Sequence, residues 1–470
     1  MKKYIILILL ISMILSLCAC SNSSENPQAS GPAEPASPET SGSEAPPESE
    51  TVSGYTPPEM NGEISINVYE SAEWLETAVK MFTEKYSGMQ VNIRDFYNGT
   101  DILVNDGQGT TAAGDRPSGQ TREDYISQLN TQILSGKADD IIITSIGLPM
   151  GRYIKMGVFE NLSFYLGSAE EINADNYYMN IFDACRTVSG AVYQFPLSAT
   201  AVPTVRFEVA LLQSTGLGPA SGAKAISWRE ALDIGKQMYG ASTLANTFMP
   251  APRSILGDLF TKTTVASINY DTGAVEIDRD KIKALLNVFD ELKDYKTMPR
   301  DFNLNNESHT VCQINYVNDA EAAMLVLDNK DTILQWQYDD GKVYLSPYYA
   351  LDFGITSQSE NKELSWEFLK FLVSDEVQTL PSFPNAGVNK NGLRARVAGY
   401  MSSYGRSAED ISAATAIVDG WVSQISAYRT EDTDILQISE GTFNDFADGL
   451  VSADESIDNL IKKLEQYMNE

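Results

Sequence analysis

Histidine is nearly absent from this chain of 470 residues, which holds only His309. Imidazole is the commonest general base near neutral pH, so catalysis built on it has one place to sit. No G-x-S-x-G elbow supplies a serine nucleophile, and the polar setting Glu307-Ser308-His309-Thr310 reads as a surface loop. Cysteine is scarce as well, with four residues at 18, 20, 185 and 312. Cys185 and Cys312 are too few and too far apart to read as a disulfide framework or a zinc site, and the sequence leaves open whether they pair. Positive charge is in deficit: 34 Lys and Arg stand against 64 Asp and Glu, a formal net charge of −30. Phosphate binding needs clustered cations, so the balance argues against nucleic acid and against docking of the protein surface onto anionic lipid. Long apolar runs are lacking too. The one at the N-terminus, Tyr4 to Leu17, falls short of the about 20 residues a membrane-spanning helix needs.

That run has another reading. Met1-Lys2-Lys3, the apolar stretch and then Cys18-Ala19-Cys20 make the charged, apolar and small-residue regions of an export signal. Leu17-Cys18-Ala19-Cys20 resembles a bacterial lipobox, in which cleavage precedes a cysteine that receives a diacylglycerol. Ala19 is the small residue before the cut, so the resemblance implies removal of residues 1–19 and lipidation of Cys20, whereas modification at Cys18 would place the bulky Leu17 there. An unlipidated secreted protein cut after Ala19 is the alternative. Two acyl chains anchor stably where one binds reversibly. From Cys20 to residue 61 the chain is rich in Ser, Pro, Glu, Gly and Ala, with no Lys or Arg and a single aromatic, Tyr55. Such a segment buries too little apolar surface to fold and reads as a disordered tether.

The chain as a whole is 43% hydrophobic, and its 470 residues are enough for two lobes and too long for one core. Ile64 to Tyr69 alternates as a strand. Leu75, Val79, Phe82 and Tyr86 then recur at helical spacing, and Gln90 to Phe96 alternates again, which makes a β-α-β unit and implies a parallel sheet. Residues 98–120, rich in Gly, Thr and Asp, read as a long loop. Tyr125, Leu129 and Ile133 mark a second helix that leads into the buried strand Ile141-Ile142-Ile143. Ligands of open α/β sheets sit beyond the carboxyl ends of strands, which nominates Glu70, Ser71, Thr144 and Ser145. Near 269–278 an acidic stretch lacks EF-hand spacing and reads as a β-turn, and Ile282, Leu285, Leu286 and Phe289 mark a helix after it. Gly107-Gln108-Gly109 lacks the strand-then-helix context of a dinucleotide site, and no P-loop lysine follows Gly114.

Six segments in order resemble the family 1 extracellular solute-binding proteins, the group that includes maltose-binding protein. They are SGKADDIIITSIGLPMGRYIKMGVFENLS from Ser135, QFPLSATAVPTVRFEVALLQSTGL from Gln194, SWREAL from Ser227, AEAAMLVLDN from Ala320, NKELSWEFLKFLVSDEVQ from Asn361 and SADESIDNLIKKLEQ from Ser452. Glu208 stands where the family usually has Asn, and Asp139 where it usually has Pro.

The resemblance implies an α/β, two-lobed, periplasmic-binding-protein-like fold (type II) with lobe 1 at 62–200 and 352–395 and lobe 2 at 201–351 and 396–470. Hinge crossings are expected near 197–203, 348–354 and 392–400. It implies a binding protein, not an enzyme, that shuts its lobes around a small solute by population shift. Carbohydrate is the family's usual solute, delivered to the permease subunits of an ATP-driven importer. No cofactor or metal is implied, and the protein is expected as a monomer, lipid-anchored on the extracellular side of the cell membrane. The candidate ligand contacts are Glu70, Ser71, Trp74, Ser145 and Ser198, then Asp328 and Asn329 after an expected strand Ala323 to Leu327, then Tyr348, Tyr349 and Asp352. A sensor that uses the same body to signal to a membrane receptor is the competing reading, and an extracellular hydrolase with paired carboxylates is a third.

Overall fold

In a computed structural model, the described residues are 55–198, 204–244, 246–297, 309–315, 319–345, 351–384, 386–428 and 432–469. β1 (Asn61–Val68), α1 (Glu73–Lys85) and β2 (Gly88–Asp95) form the expected unit, with Ile64 opposite Val91 and Ile66 opposite Ile93 in a parallel pair. Helix α1 turns Trp74, Leu75, Ala78, Val79 and Phe82 to one side, a stripe at 3.6-residue spacing that packs on the sheet.

Residues 98–120, expected as a loop, instead hold β3 (Thr100–Asn105) and β4 (Gln108–Ala113), an antiparallel hairpin that extends the sheet. Asp106 and Gly107 make its two-residue turn with φ of 48° and 73°, the left-handed pair that Asp-Gly supplies at least strain. β4 is exposed along its whole length, so it carries no apolar alternation for a periodicity reading to detect.

The chain continues through α2 (Arg122–Leu134), β5 (Ile141–Ile143), α3 (Met150–Lys155), α4 (Ser163–Ser168), α5 (Met179–Ala184) and β6 (Phe195–Pro196). Thr121 opens α2 with a capping box closed by Asp124. The two aspartates before β5 fasten it. Asp139 pairs with Arg94 Nε at 2.8 Å and accepts from Asn67 Nδ2 at 2.7 Å, while Asp140 accepts from the Ser65 amide at 2.8 Å. With β16 (Asp352–Ile355), the first sheet runs β4-β3-β2-β1-β5-β16-β6. One face is covered by α1 and its neighbours. The other is covered by Phe96, Tyr125, Leu129, Tyr153 and Phe159.

The second half begins with β7 (Thr204–Glu208), α6 (Val209–Thr215), β8 (Ala225–Ser227), α7 (Trp228–Ala241), β9 (Thr247–Phe248), α8 (Pro252–Ala266), β10 (Ile268–Asn269), β11 (Ala274–Val275) and α9 (Arg279–Leu292). The acidic stretch 269–278 is the β10–β11 hairpin turn, where Asn269 Oδ1 accepts from the Asp271 amide at 3.0 Å. Then come β12 (His309–Thr310), β13 (Gln313–Asn315), α10 (Asp319–Leu327), β14 (Asp331–Gln337), β15 (Tyr344–Leu345) and β16 (Asp352–Ile355). The second sheet runs β13-β7-β14-β8 over its own core of Phe207, Trp228, Leu256, Phe260, Leu286 and Phe443.

Two expectations are corrected in this half. Ala323 to Leu327 is helical, because Ala, Met and Leu without alternation favour a helix; the strand is the following segment, β14. His309 is buried, not on a surface loop, with Nδ1 2.8 Å from Glu208 Oε2. Cys185 and Cys312 are both free thiols, and burial pushes the Cys312 thiol up to about 12.

The chain ends with α11 (Lys362–Leu372), α12 (Asp375–Gln378), α13 (Lys390–Ser403), α14 (Ala408–Val422), β17 (Ala427–Tyr428), α15 (Thr433–Ala447) and α16 (Ala453–Asn469). Residues 392–400, expected as a crossing, lie inside α13. Asn389 caps that helix through Oδ1, and Leu393, Val397 and Met401 repeat every fourth residue on its buried side. Helix α14 packs on α10 and reaches the first core as well, where Tyr178 Oη donates to Asp419 at 2.5 Å. The result is a two-lobed α/β fold. Among the described residues no helix is long and apolar enough to cross a membrane.

Candidate ligand-binding site

The parallel strands β1 and β5 end at Val68 and Ile143. β16 runs antiparallel to β5, and β6 runs antiparallel to β16, so Asp352 begins β16 at the same edge where β6 ends. Glu70, Ser71, Ser145, Ser198 and Asp352 therefore gather along one edge of the first sheet, the edge from which the chain departs for the second.

Hydrogen bonds pin this edge. The Thr144 amide donates to the Asp352 carbonyl at 2.8 Å, and the Asp352 amide donates back to Ser145 Oγ at 3.2 Å. The Leu351 amide donates to Ser198 Oγ at 3.1 Å, and the Leu197 amide to the Leu351 carbonyl at 2.8 Å. Ser145 and Ser198 thus hold the first and second passages side by side. Gln378 Nε2, from α12, donates to the Leu197 carbonyl at 2.9 Å and ties that helix to the same place.

Asp352 is fully buried there. Tyr428 Oη donates to its Oδ2 at 2.6 Å, whereas Oδ1 has no partner among the described residues. Burial pushes this carboxyl up to about 7, with the Tyr428 bond opposing the shift. Such a group takes or gives a hydrogen bond near neutral pH.

The other nominated residues fare differently. Glu70 is exposed, and Ser71 Oγ donates to Glu76 Oε1 at 3.2 Å. Trp74 is not at a surface: it is 4% exposed and meets Phe383 edge-on with ring centroids 5.2 Å apart. Asp328 and Asn329 close helix α10 instead of ending a strand, with Asn329 at φ 53° and Asp328 held by Arg406 Nη2 at 2.8 Å. Their place is remote from the crossing. Thr204 pairs with Gln335 beside it and Glu208 with Asp331 some 13 Å further along, at about 3.3 Å per residue, and Asp328 lies beyond Asp331. Tyr348 and Tyr349 lie outside the described residues.

Two aromatics escaped the sequence reading. Tyr69 and Tyr97 follow the carboxyl ends of β1 and β2, their rings 5.7 Å apart, with Tyr97 40% exposed. Their signal was the rule that nominated Glu70: each lies one or two residues past a parallel strand end. A cavity of about 320 Å³ lies between the turn after α12 and helix α13, lined in part by Leu380, Pro381, Phe383, Arg396 and Tyr400. Nothing in this arrangement pairs a nucleophile with a base. His309, bonded to Glu208, sits at the remote end of β7, and no cluster able to hold a metal ion occurs among the described residues. Polar groups, exposed rings and a buried carboxyl at a crossing can hold a guest by contact alone.

An extracellular solute-binding protein of family 1 from Alicyclobacillus acidocaldarius superposes with a TM-score of 0.52 at 14% identity, over 88% of this chain and 100% of that one. A periplasmic oligogalacturonide binding protein from Yersinia enterocolitica gives 0.55 at 15% identity, over 87% and 99%. At such identities the likeness concerns the fold. No curated protein sequence matches the chain. The family model described as bacterial extracellular solute-binding protein matches residues 116–381. More than half of the length is thereby covered, and the chain belongs to the bacterial extracellular solute-binding proteins, which bind solutes and do not convert them.

Proposed function

We propose that this chain is the capture component of an ATP-driven importer, tethered to the outer side of the cell membrane through Cys20, and that it hands a small solute, carbohydrate in the first instance, to permease subunits. The observation that carries the reading is the convergence of Glu70, Ser71 and Ser145 at the edge where the chain passes between sheets, braced from within by the fully buried Ser198 and Asp352. Tyr69 and Tyr97 add ring faces suited to the flat, C–H-rich face of a pyranose. Lobe 1, centred on the first sheet, and lobe 2, centred on the second, would close on the solute by preferring the liganded form.

A thermal-shift screen of oligosaccharides, monosaccharides, polyols and small peptides tests this directly. A true ligand at 100 times its dissociation constant adds about 2.7 kcal/mol of stability. Tyr97→Ala should cut that shift without moving the unliganded melting point, since the ring is partly exposed. A screen in which no solute raises the melting point would refute the assignment.

A further inference from the structure

The cavity between α12 and α13 has a chemistry the carbohydrate reading does not need. Its floor is apolar, from Leu380, Pro381 and the buried Phe383 ring, and its rim carries the Arg396 guanidinium and the Tyr400 phenol. In a chain with a net charge of −30, cations near carboxylates are the rule, and the neighbours of Arg396 follow it or are otherwise engaged. Arg406 is paired with Asp328 at 2.8 Å, Arg394 donates to Asn391 Oδ1 at 3.2 Å, and Lys390 donates to the Ala174 carbonyl at 2.6 Å. Arg396 has no acceptor among the described residues, yet it lines a cavity. The cavity also adjoins the crossing. Gln378, one of its walls, is bonded to the Leu197 carbonyl, and Phe383 rests on Trp74 at the start of α1.

We propose that this cavity receives a six-membered ring bearing a carboxylate, with Arg396 taking the carboxylate and Tyr400 and Phe383 flanking the ring. The volume of about 320 Å³ suits one such ring and its substituents. A guanidinium presents two parallel N–H groups that match a carboxylate in geometry and charge, and the apolar floor beside it suits the ring that carries the acid. Burial and the hydrogen bond with Tyr404 push the Tyr400 phenol up, so it flanks the ring without adding negative charge beside the acid. The inference rests on the solute-binding reading above and adds to its sheet-edge contacts a separate site for an acidic ring.

Isothermal titration of the folded chain with D-glucuronate against D-glucose, and with 4-hydroxybenzoate against phenol, separates a sugar acid from an aromatic acid. At least one acid should bind tenfold or more tightly than its neutral partner. Arg396→Gln should remove that preference, and Arg396→Lys should keep part of it, because the charge stays and the fork is lost. Arg396 is exposed and unpaired, so neither variant should shift the unliganded melting point. The inference falls if neither acid binds at millimolar concentration, if each acid only equals its neutral partner, or if the preference survives Arg396→Gln. Should a neutral solute raise the melting point equally in wild type and Arg396→Gln, solute binding would stand and this site would not. If nothing in the wider screen binds, both fail.

Discussion

At the residue scale, two buried carboxyls set the pH response of the fold. Burial pushes both Asp352 and Asp432 up to about 7 from the ordinary value of 3.8. Asp432 caps α15 through the Asp434 and Ile435 amides and accepts from Tyr467 Oη at 3.1 Å. In the unfolded chain these groups lose their protons near pH 4, whereas in the folded chain they keep them until near pH 7. The folded state therefore binds more protons across that window, and its stability falls as pH rises from about 4 to about 7. Urea denaturation at stepped pH should show a decline on the order of 1 kcal/mol per pH unit for each group. Asp352→Asn, which mimics the protonated form and still accepts from Tyr428, should flatten part of that slope and stabilise the protein at pH 8. A slope of opposite sign would mean that the carboxyls are ionised in the fold.

At the element scale, α1 shows how one helix face decides a residue's fate. Trp74 lies in the first turn, next to the candidate contacts Glu70 and Ser71, and position alone made it a contact too. In the fold its ring shares the apolar stripe with Leu75, Ala78, Val79 and Phe82 and is closed off by Phe383. Trp74→Ala should thus cost about 3–5 kcal/mol in chemical denaturation, as large aromatic truncations in cores do. A variant that keeps wild-type stability and loses solute binding would return Trp74 to the site. The β3–β4 hairpin teaches the converse lesson. Asp106-Gly107 was a readable turn signal between Val104 and the threonines of β4, but an exposed edge strand has no buried face to impose alternation. Helix α13 was hidden differently: Asn389 and the Leu393, Val397, Met401 stripe were legible as a helix, and the expectation of a crossing came from the family pattern.

At the scale of the whole molecule, the two sheets and their separate cores follow from apolar patterning on either side of the crossings. The tether joins that body to the membrane in our reading. Cys20→Ser should abolish incorporation of labelled palmitate and release the protein into the medium, while the folded part keeps its melting point. Continued membrane retention of that variant would rule out the lipid anchor at this residue.

The sequence by itself determined the β-α-β opening, the buried strand at Ile141 to Ile143 and the membership that six ordered segments announced. These depend on local composition and on periods of two or 3.6 residues, which a linear reading senses. Only the tertiary structure decided that Trp74 is packed, that Ser145 and Ser198 hold backbone amides at the crossing, that His309 is buried against Glu208, and that Arg396 lines a cavity without a partner. Each of those outcomes depends on a neighbour a hundred or more residues away or on the space left between two elements, and neither is written in the spacing of side chains along the chain.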